Sequence, residues 1–367
     1  MTGSPTHSAQ VESERAPQSD SALKPTTMPR KCTYSAADWR VLSQQWFPIA
    51  AAAAVGSAPV AVTLLDVDLV VYRLGNAIRV AHDRCPHRGV PLSLGCIEGD
   101  ELICAYHGLH YGPDGQCRKI PSQPDVRPSS RFRLRMLPAI ERHGLVWTCL
   151  DPTDGEPRLP PFPAWDRPDV RAILLPHVDI AASAGRQLEG FLDVAHFAWV
   201  HRGTFADPDD TVVPLYSTRS TDYGLQSECW STVSNYPKAF RHLEPTGFRW
   251  LRLFDVYPPF AAMLTIHFPN EGRLWILNLA SPVSARRTRL FVPWARNFDI
   301  DTSVEDIYAF NAKVFAEDQG IVERQRPEEL PLQSDDEPHF AADRTSVAYR
   351  RLLKKMGLTF APVPGSE

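Results

Sequence analysis

Two short segments constrain this chain more than anything else in it. They read Cys85-Pro-His87 and Cys104-Ala-Tyr-His107, with sixteen residues between them. Each carries one thiol and one imidazole. Each also runs into a glycine, Gly89 or Gly108, of the kind a tight loop requires. Two such loops facing each other make a four-ligand metal site. Structural zinc sites usually pair like with like, two cysteines on one turn and two histidines on another. Mixed pairs suit a [2Fe–2S] cluster in which one iron takes two thiolates and the other two imidazoles. The spacing therefore favours a cluster over zinc. Five further cysteines, Cys32, Cys96, Cys117, Cys149 and Cys229, lie outside the pattern and read as ordinary thiols. With only two of seven cysteines assigned, a reducing cytoplasm is expected rather than a disulfide framework.

The surroundings of the motif read as β structure. Short runs over 60–65, 69–74, 77–81, 102–104 and 145–150 are punctuated by turn signals at Gly75-Asn76 and Pro113-Asp114-Gly115. Ser35 caps a predicted helix over 36–45. This predicts an all-β domain over 34–150, preceded by a leader, 1–33, with no apolar period and expected to be disordered. A Pro-rich stretch, 151–168, reads as a linker. Beyond it, 169–358 predicts a second domain, with 359–367 as a tail. A helix is expected over 185–201. Alternating runs at 225–233, 248–256, 261–267, 274–279 and 288–294 predict an antiparallel sheet. A last helix is expected from Ser303 to about 325, stopping before Pro327. The fold class is α+β. The 39 basic against 43 acidic side chains exclude the basic excess of a nucleic-acid binder. No stretch approaches the ~20 apolar residues that span a membrane.

A second metal site is suggested by Asp193-x2-His196-x4-His201. On an ideal helix five residues turn through ~140°, so the two histidines share a face only if the helix is locally distorted. Asp193 and His196 are three apart and neighbours on a helix surface. Spacing alone makes these ordinary histidines as readily as ligands. Two histidines and one carboxylate would form a facial triad that leaves positions open for dioxygen. From the residues alone the third ligand is open among Asp306, Glu317, Asp318 and Glu323 on the last helix.

The strings C-P-H-R-G-V-P-L-S-L-G from Cys85 and C-A-Y-H-G-L-H-Y from Cys104 resemble the Rieske non-haem iron oxygenases. The likeness extends over most of the chain, from Tyr34 to about Gln325. Respiratory-chain Rieske proteins place a disulfide cysteine beside each ligand pair; Arg88 and Tyr106 stand there instead. The resemblance implies an N-terminal all-β Rieske domain and a catalytic domain of helix-grip type, an antiparallel sheet with flanking helices. It implies that Cys85, His87, Cys104 and His107 hold the [2Fe–2S] cluster, and that His196, His201 and Asp318 hold mononuclear Fe(II), with Glu317 as runner-up to Asp318. Asp193 would hydrogen-bond His196 and, across a subunit boundary, a neighbour's His107. Many members have Asn where Gly190 stands here, which is a departure from the pattern.

The implied activity is that of a terminal oxygenase resembling the phthalate, vanillate O-demethylase and caffeine N-demethylase branch. NAD(P)H would reduce a separate flavin and iron–sulfur reductase, or a ferredoxin, that feeds the cluster. The substrate would be a small aromatic or heteroaromatic compound, hydroxylated, O- or N-demethylated, or cis-dihydroxylated. A homotrimer is implied, with neither nucleic acid nor membrane as partner. Phe191, Leu192, Phe197 and Trp199 are candidate pocket residues, and Asn278 and His267 candidates to orient a polar substrate. Two other readings compete: a Rieske electron carrier without oxygenase chemistry, and a zinc-stabilised binding protein.

Overall fold

The computed structural model describes residues 26–236, 238–333 and 336–360. Its N-terminal half is built from three small antiparallel sheets. One joins Phe47–Ala51, Leu145–Thr148 and Ala139–Arg142; a second joins Val60–Leu64, Val67–Leu74, Ala77–His82 and Met136–Leu137. The hairpin at Gly75-Asn76 forms as expected, with Gly75 at φ +55°. The third sheet, Cys96–Glu98, Glu101–Ile103, His110–Tyr111 and Cys117–Lys119, carries the two cysteine–histidine loops at one end. A core of its own underlies it, with Val70, Tyr72, Leu92, Leu102, Leu109 and Tyr111 around Cys85 and Cys104.

The C-terminal half is organised on one seven-stranded antiparallel sheet. Its order is Arg171–Ile180, Arg287–Arg296, Arg273–Ser284, Ala261–His267, Trp250–Tyr257, Leu225–Ser231 and Ser217–Ser220. Both edge strands were missed by the sequence pattern. Arg171–Ile180 contains Pro176, which removes a ladder donor and is tolerated because the register breaks between Leu175 and Val178. Ser217–Ser220 has no apolar residue to alternate. One face of the sheet packs on helices: α1 (Ala36–Ser43), α2 (Ala184–Leu192), the single turn α3 (Phe197–Val200), α4 (Val304–Val322) and α5 (Arg344–Lys355) are the α-helices among the described residues, and α2 and α4 sit against that face. α5 was not expected either, because its buried side is largely polar: Thr345, Ser346 and Arg350 beside Tyr349 and Leu353.

Three expectations need correcting. The helix over 185–201 is not continuous; it ends at Leu192, and a separate turn starts after His196. Of the expected leader, residues 1–25 lie outside the described residues, but 26–33 are packed. Thr26 bonds the Leu150 carbonyl, and the Thr33 amide and hydroxyl both donate to Asp66 at 2.8 Å. Of the expected tail, 361–367 lie outside the described residues, while the Thr359 amide donates to Asp38 at 2.6 Å and closes the chain onto α1. The Pro-rich stretch has no regular structure but buries Phe162 and Ala164 between the halves. Among the described residues no helix is long and apolar enough to cross a membrane.

Candidate metal centres

The two cluster loops share one hydrogen-bond pattern. The Gly89 amide donates to the Cys85 carbonyl at 2.9 Å, and the Gly108 amide to the Cys104 carbonyl at 3.0 Å. The Cys85 amide donates to Val90 and the Cys104 amide to Leu109, both at 2.9 Å. Each loop closes with its glycine in the left-handed region, φ +75° for Gly89 and +65° for Gly108, where a side chain would be strained. The repeated turn explains why two different spacings present the same pair of ligands. Both thiols are buried, 2% exposed each, and Cys85 Sγ lies 3.2 Å from the Tyr111 hydroxyl. The imidazoles stand together on the outer side. Their ring centres are 4.6 Å apart, His107 is exposed, and His87 Nδ1 is buried without a hydrogen-bond partner. Sulfurs inside, nitrogens outside and an orphaned ring nitrogen together fit a two-iron cluster whose histidine end faces the surface.

The second constellation lies where the expected helix breaks. Asp193 follows α2 in an extended conformation, φ −77° and ψ 132°. Its Oδ1 accepts from the Ala195 amide at 2.7 Å, an Asx turn that redirects the chain. His196 then caps α3 and His201 follows it, passing into a 3-10 turn at His201–Gly203. The break does what an unbroken helix could not. His196 Nε2 and His201 Nε2 are 3.1 Å apart, and both face Asp318 Oδ1, at 3.5 and 3.1 Å. One ligand atom from each of the three residues lies within 4.8 Å of the others. Three donors crowded together with lone pairs converging fit a two-histidine, one-carboxylate metal site.

The four acids of α4 are sorted by their contacts. Asp306 pairs with Ser303 in the N-cap, and Glu323 accepts from the Ala181 amide at 2.9 Å. Asp318 meets the Nε2 side of the histidines. Glu317 goes behind His201, accepting from Nδ1 at 2.9 Å and from the Thr204 hydroxyl at 2.8 Å. Asp193 Oδ2 stands behind His196, 3.5 Å from Nδ1. Each imidazole thus has an outer carboxylate on its Nδ1 side, and the hydrogen bond to Glu317 orients His201 with Nε2 toward the centre. Burial resists charging of His201, but Asp318 and Glu317 outweigh it and hold its pKa above the usual value. The role of Glu317 was missed as such; adjacency to Asp318 was the only signal in the sequence. Gly190 packs on Val322, where an added β-carbon would sit at ordinary contact, 3.4 Å.

The six expected pocket residues divide. Phe197 lines a cavity beside the histidines, its ring centre 4.9 Å from that of His196. Leu192 is instead part of the main core, and Phe191 packs on Phe254. Trp199 is 61% exposed and points outward with Arg202 against its ring, because a single helical turn cannot keep every apolar side chain inside. Asn278 is buried with its Oδ1 unpartnered, and His267 closes the far end of a strand opposite Arg273. The five remaining cysteines are free thiols, buried except for Cys96.

Comparison with known proteins gives the family. The family model for the Rieske [2Fe-2S] domain matches residues 45–133, and that for the vanillate O-demethylase oxygenase C-terminal domain matches 180–359. Methylxanthine N1-demethylase NdmA of Pseudomonas putida is 32% identical over 81% of this chain and 82% of its own length. Methylxanthine N3-demethylase NdmB of the same species is 30% identical over 88% of this chain and 91% of its own. The structure of NdmA with caffeine superposes with a TM-score of 0.77 at 28% identity, covering 88% of this chain and 92% of that one. The chain belongs to the Rieske non-haem iron oxygenases, as a terminal oxygenase component that joins a [2Fe–2S] cluster to mononuclear iron and draws its electrons from a separate reductase.

Proposed function

We propose that His196, His201 and Asp318 hold the mononuclear iron, and that Cys85, Cys104, His87 and His107 hold the cluster. The observation that carries this is the convergence of two Nε2 atoms and a carboxylate oxygen within 4.8 Å, each imidazole backed by an outer carboxylate. The substrate is a small planar aromatic or heteroaromatic compound. Hydroxylation of an N-methyl or methoxy carbon, followed by loss of formaldehyde, is the reaction the NdmA and NdmB likeness favours. Ring hydroxylation and cis-dihydroxylation use the same site.

When bound, the iron supplies the dioxygen chemistry and the cluster delivers the electrons. The chain's own residues do the rest. Glu317 accepts the Nδ1 proton of His201 and keeps its Nε2 lone pair inward, while Asp193 faces Nδ1 of His196 across 3.5 Å. Phe197 and Phe205 pack on His201 and keep bulk water from that side. Asp193, half-open to solvent, is placed to relay between His196 and a neighbouring copy's His107. Within one chain no hydrogen bond among the described residues joins Asp193 to a cluster histidine, and Tyr106 beside His107 is 61% exposed. Both features fit a cluster that serves the iron of a neighbouring copy; a ring of three is what the family resemblance implies. The free, mostly buried thiols support a cytoplasmic setting.

The test supplies NADH and a surrogate reductase to the holoenzyme with N-methyl and methoxy aromatics. Product and formaldehyde formed in step with NADH consumed is the expected result. NADH oxidation indifferent to every aromatic in the panel would contradict it.

A further inference from the structure

We propose that Glu189 and Arg350 are positioning residues of the mononuclear centre, fixing where α2 releases the chain toward Asp193 and His196. The inference rests on the metal-site reading above and extends it to charged side chains outside the ligand set. The buried side of α2 carries Arg186 and Glu189 beside Leu188 and Leu192. Arg186 is 2% exposed, Glu189 9%, and Arg350, on α5, 6%. Charged side chains are almost never this buried unless they are paired. Here they alternate in sign with Glu337. Arg350 Nε and Nη2 donate to the two Glu189 oxygens at 2.6 and 2.8 Å, and Nη2 also reaches Glu337 at 2.6 Å. Arg186 Nη2 donates to Glu337 at 2.7 Å and to the Pro327 carbonyl at 2.9 Å, while its Nη1 faces Glu189 across 3.7 Å.

The place of this cluster ties it to the site. The Asp193 amide donates to the Glu189 carbonyl at 3.1 Å, so the residue that Arg350 grips also closes the last turn of α2. Only Val194 and Ala195 separate Asp193 from His196. Pro327 lies just past α4, the helix that carries Glu317 and Asp318. One charged cluster therefore holds the end of α2 both to α5 and to the chain leaving α4. The candidate ligands come from those same two arms, His196 after α2 and Asp318 on α4. Their donor atoms and that of His201 lie within 4.8 Å of one another. A constellation of this kind works only when held to within about 0.5 Å.

Stability alone does not account for the pair. Apolar residues of similar volume often serve a core as well as a buried ion pair does, or better. Arg350 Nη1, buried without a partner, adds to the cost. What apolar side chains do not supply is direction. A guanidinium forked on a carboxylate fixes both distance and plane, whereas two aliphatic side chains slide and rotate against each other. The fork sits one turn before the break that forms the site.

The test uses the full-length protein with its cluster assembled and its mononuclear site emptied by chelation. Fe(II) is titrated in anaerobically, and its nitric oxide adduct is recorded by EPR. The double variant Glu189→Leu, Arg350→Met removes both charges at similar volume and should melt at or above the wild-type temperature. It should nevertheless bind Fe(II) about tenfold more weakly, with an altered EPR line shape and the cluster spectrum unchanged. Arg350→Lys keeps the charge and loses the fork, so it should lose part of the affinity. Wild-type affinity and line shape in the double variant would overturn the proposal. So would a double variant that loses its cluster or melts early, since the pair would then serve stability. Wild-type protein that takes up no Fe(II) would instead overturn the metal-site reading itself.

Discussion

The cluster loops take their four candidate ligands from residues 85–107, and two copies of one turn present them. The mononuclear site gathers three candidate ligands from 196–318, and it depends on a helix that breaks and on a second helix docked against it. In the first region the chain's local geometry makes the site, and the core beneath it is partly the ligands themselves. In the second, tertiary packing makes the site, and the ligands contribute little to the core. Damage to the ligands should therefore unfold the first region and merely empty the second.

The largest effect is expected at the cysteines. Cys104→Ser should remove the cluster spectrum, end turnover and lower the melting temperature, because Cys85 and Cys104 sit inside the core of that sheet. A variant that melts like wild type would break the contrast. Next is Asp193→Asn. It should retain both metals while turnover falls roughly a hundredfold or more, since the amide cannot take the Nδ1 proton. Full coupled activity in that variant would remove the relay role. Glu317→Gln comes third, with iron affinity or activity reduced about 10–100-fold and the cluster untouched; metal titration of the apoprotein reads it.

The smallest effect sharpens the packing side. Glu337 accepts from Arg186 at 2.7 Å and from Arg350 at 2.6 Å, tying α2 to α5. Burial pushes its pKa up, but the two guanidiniums outweigh it and hold it below the usual carboxylate value. A depressed pKa means stability present above the ordinary carboxylate range and lost as pH falls through the lowered value. Glu337→Gln should therefore cost about 1–3 kcal/mol at neutral pH. The gap to wild type should close in acid, and a gap that is constant with pH would count against the ion pair.

The same contrast decides what could be read from the chain alone. The cysteine–histidine loops were legible because each needs only its own few residues and a glycine of positive φ. The sheet was legible where strands alternate, and illegible at Arg171–Ile180, where Pro176 is excused by a bulge. His196 and His201 were visible as a pair, but an ideal helix separates them; the Asx turn at Asp193 that reunites them is set by a side chain meeting its own backbone. The division of labour between Asp318 and Glu317 was hidden, since adjacent acids on a helix are told apart only by what packs against each. Trp199 looked like a pocket residue and faces solvent.

We propose that the mononuclear site is independent of the cluster and is made by His196, His201 and Asp318. Counting iron in purified Asp318→Ala beside wild type, with the visible spectrum recorded on the same samples, tests it most directly. Iron should fall from about three to about two Fe per chain with the cluster bands unchanged. Unchanged iron content, or bleaching of the cluster, would contradict it.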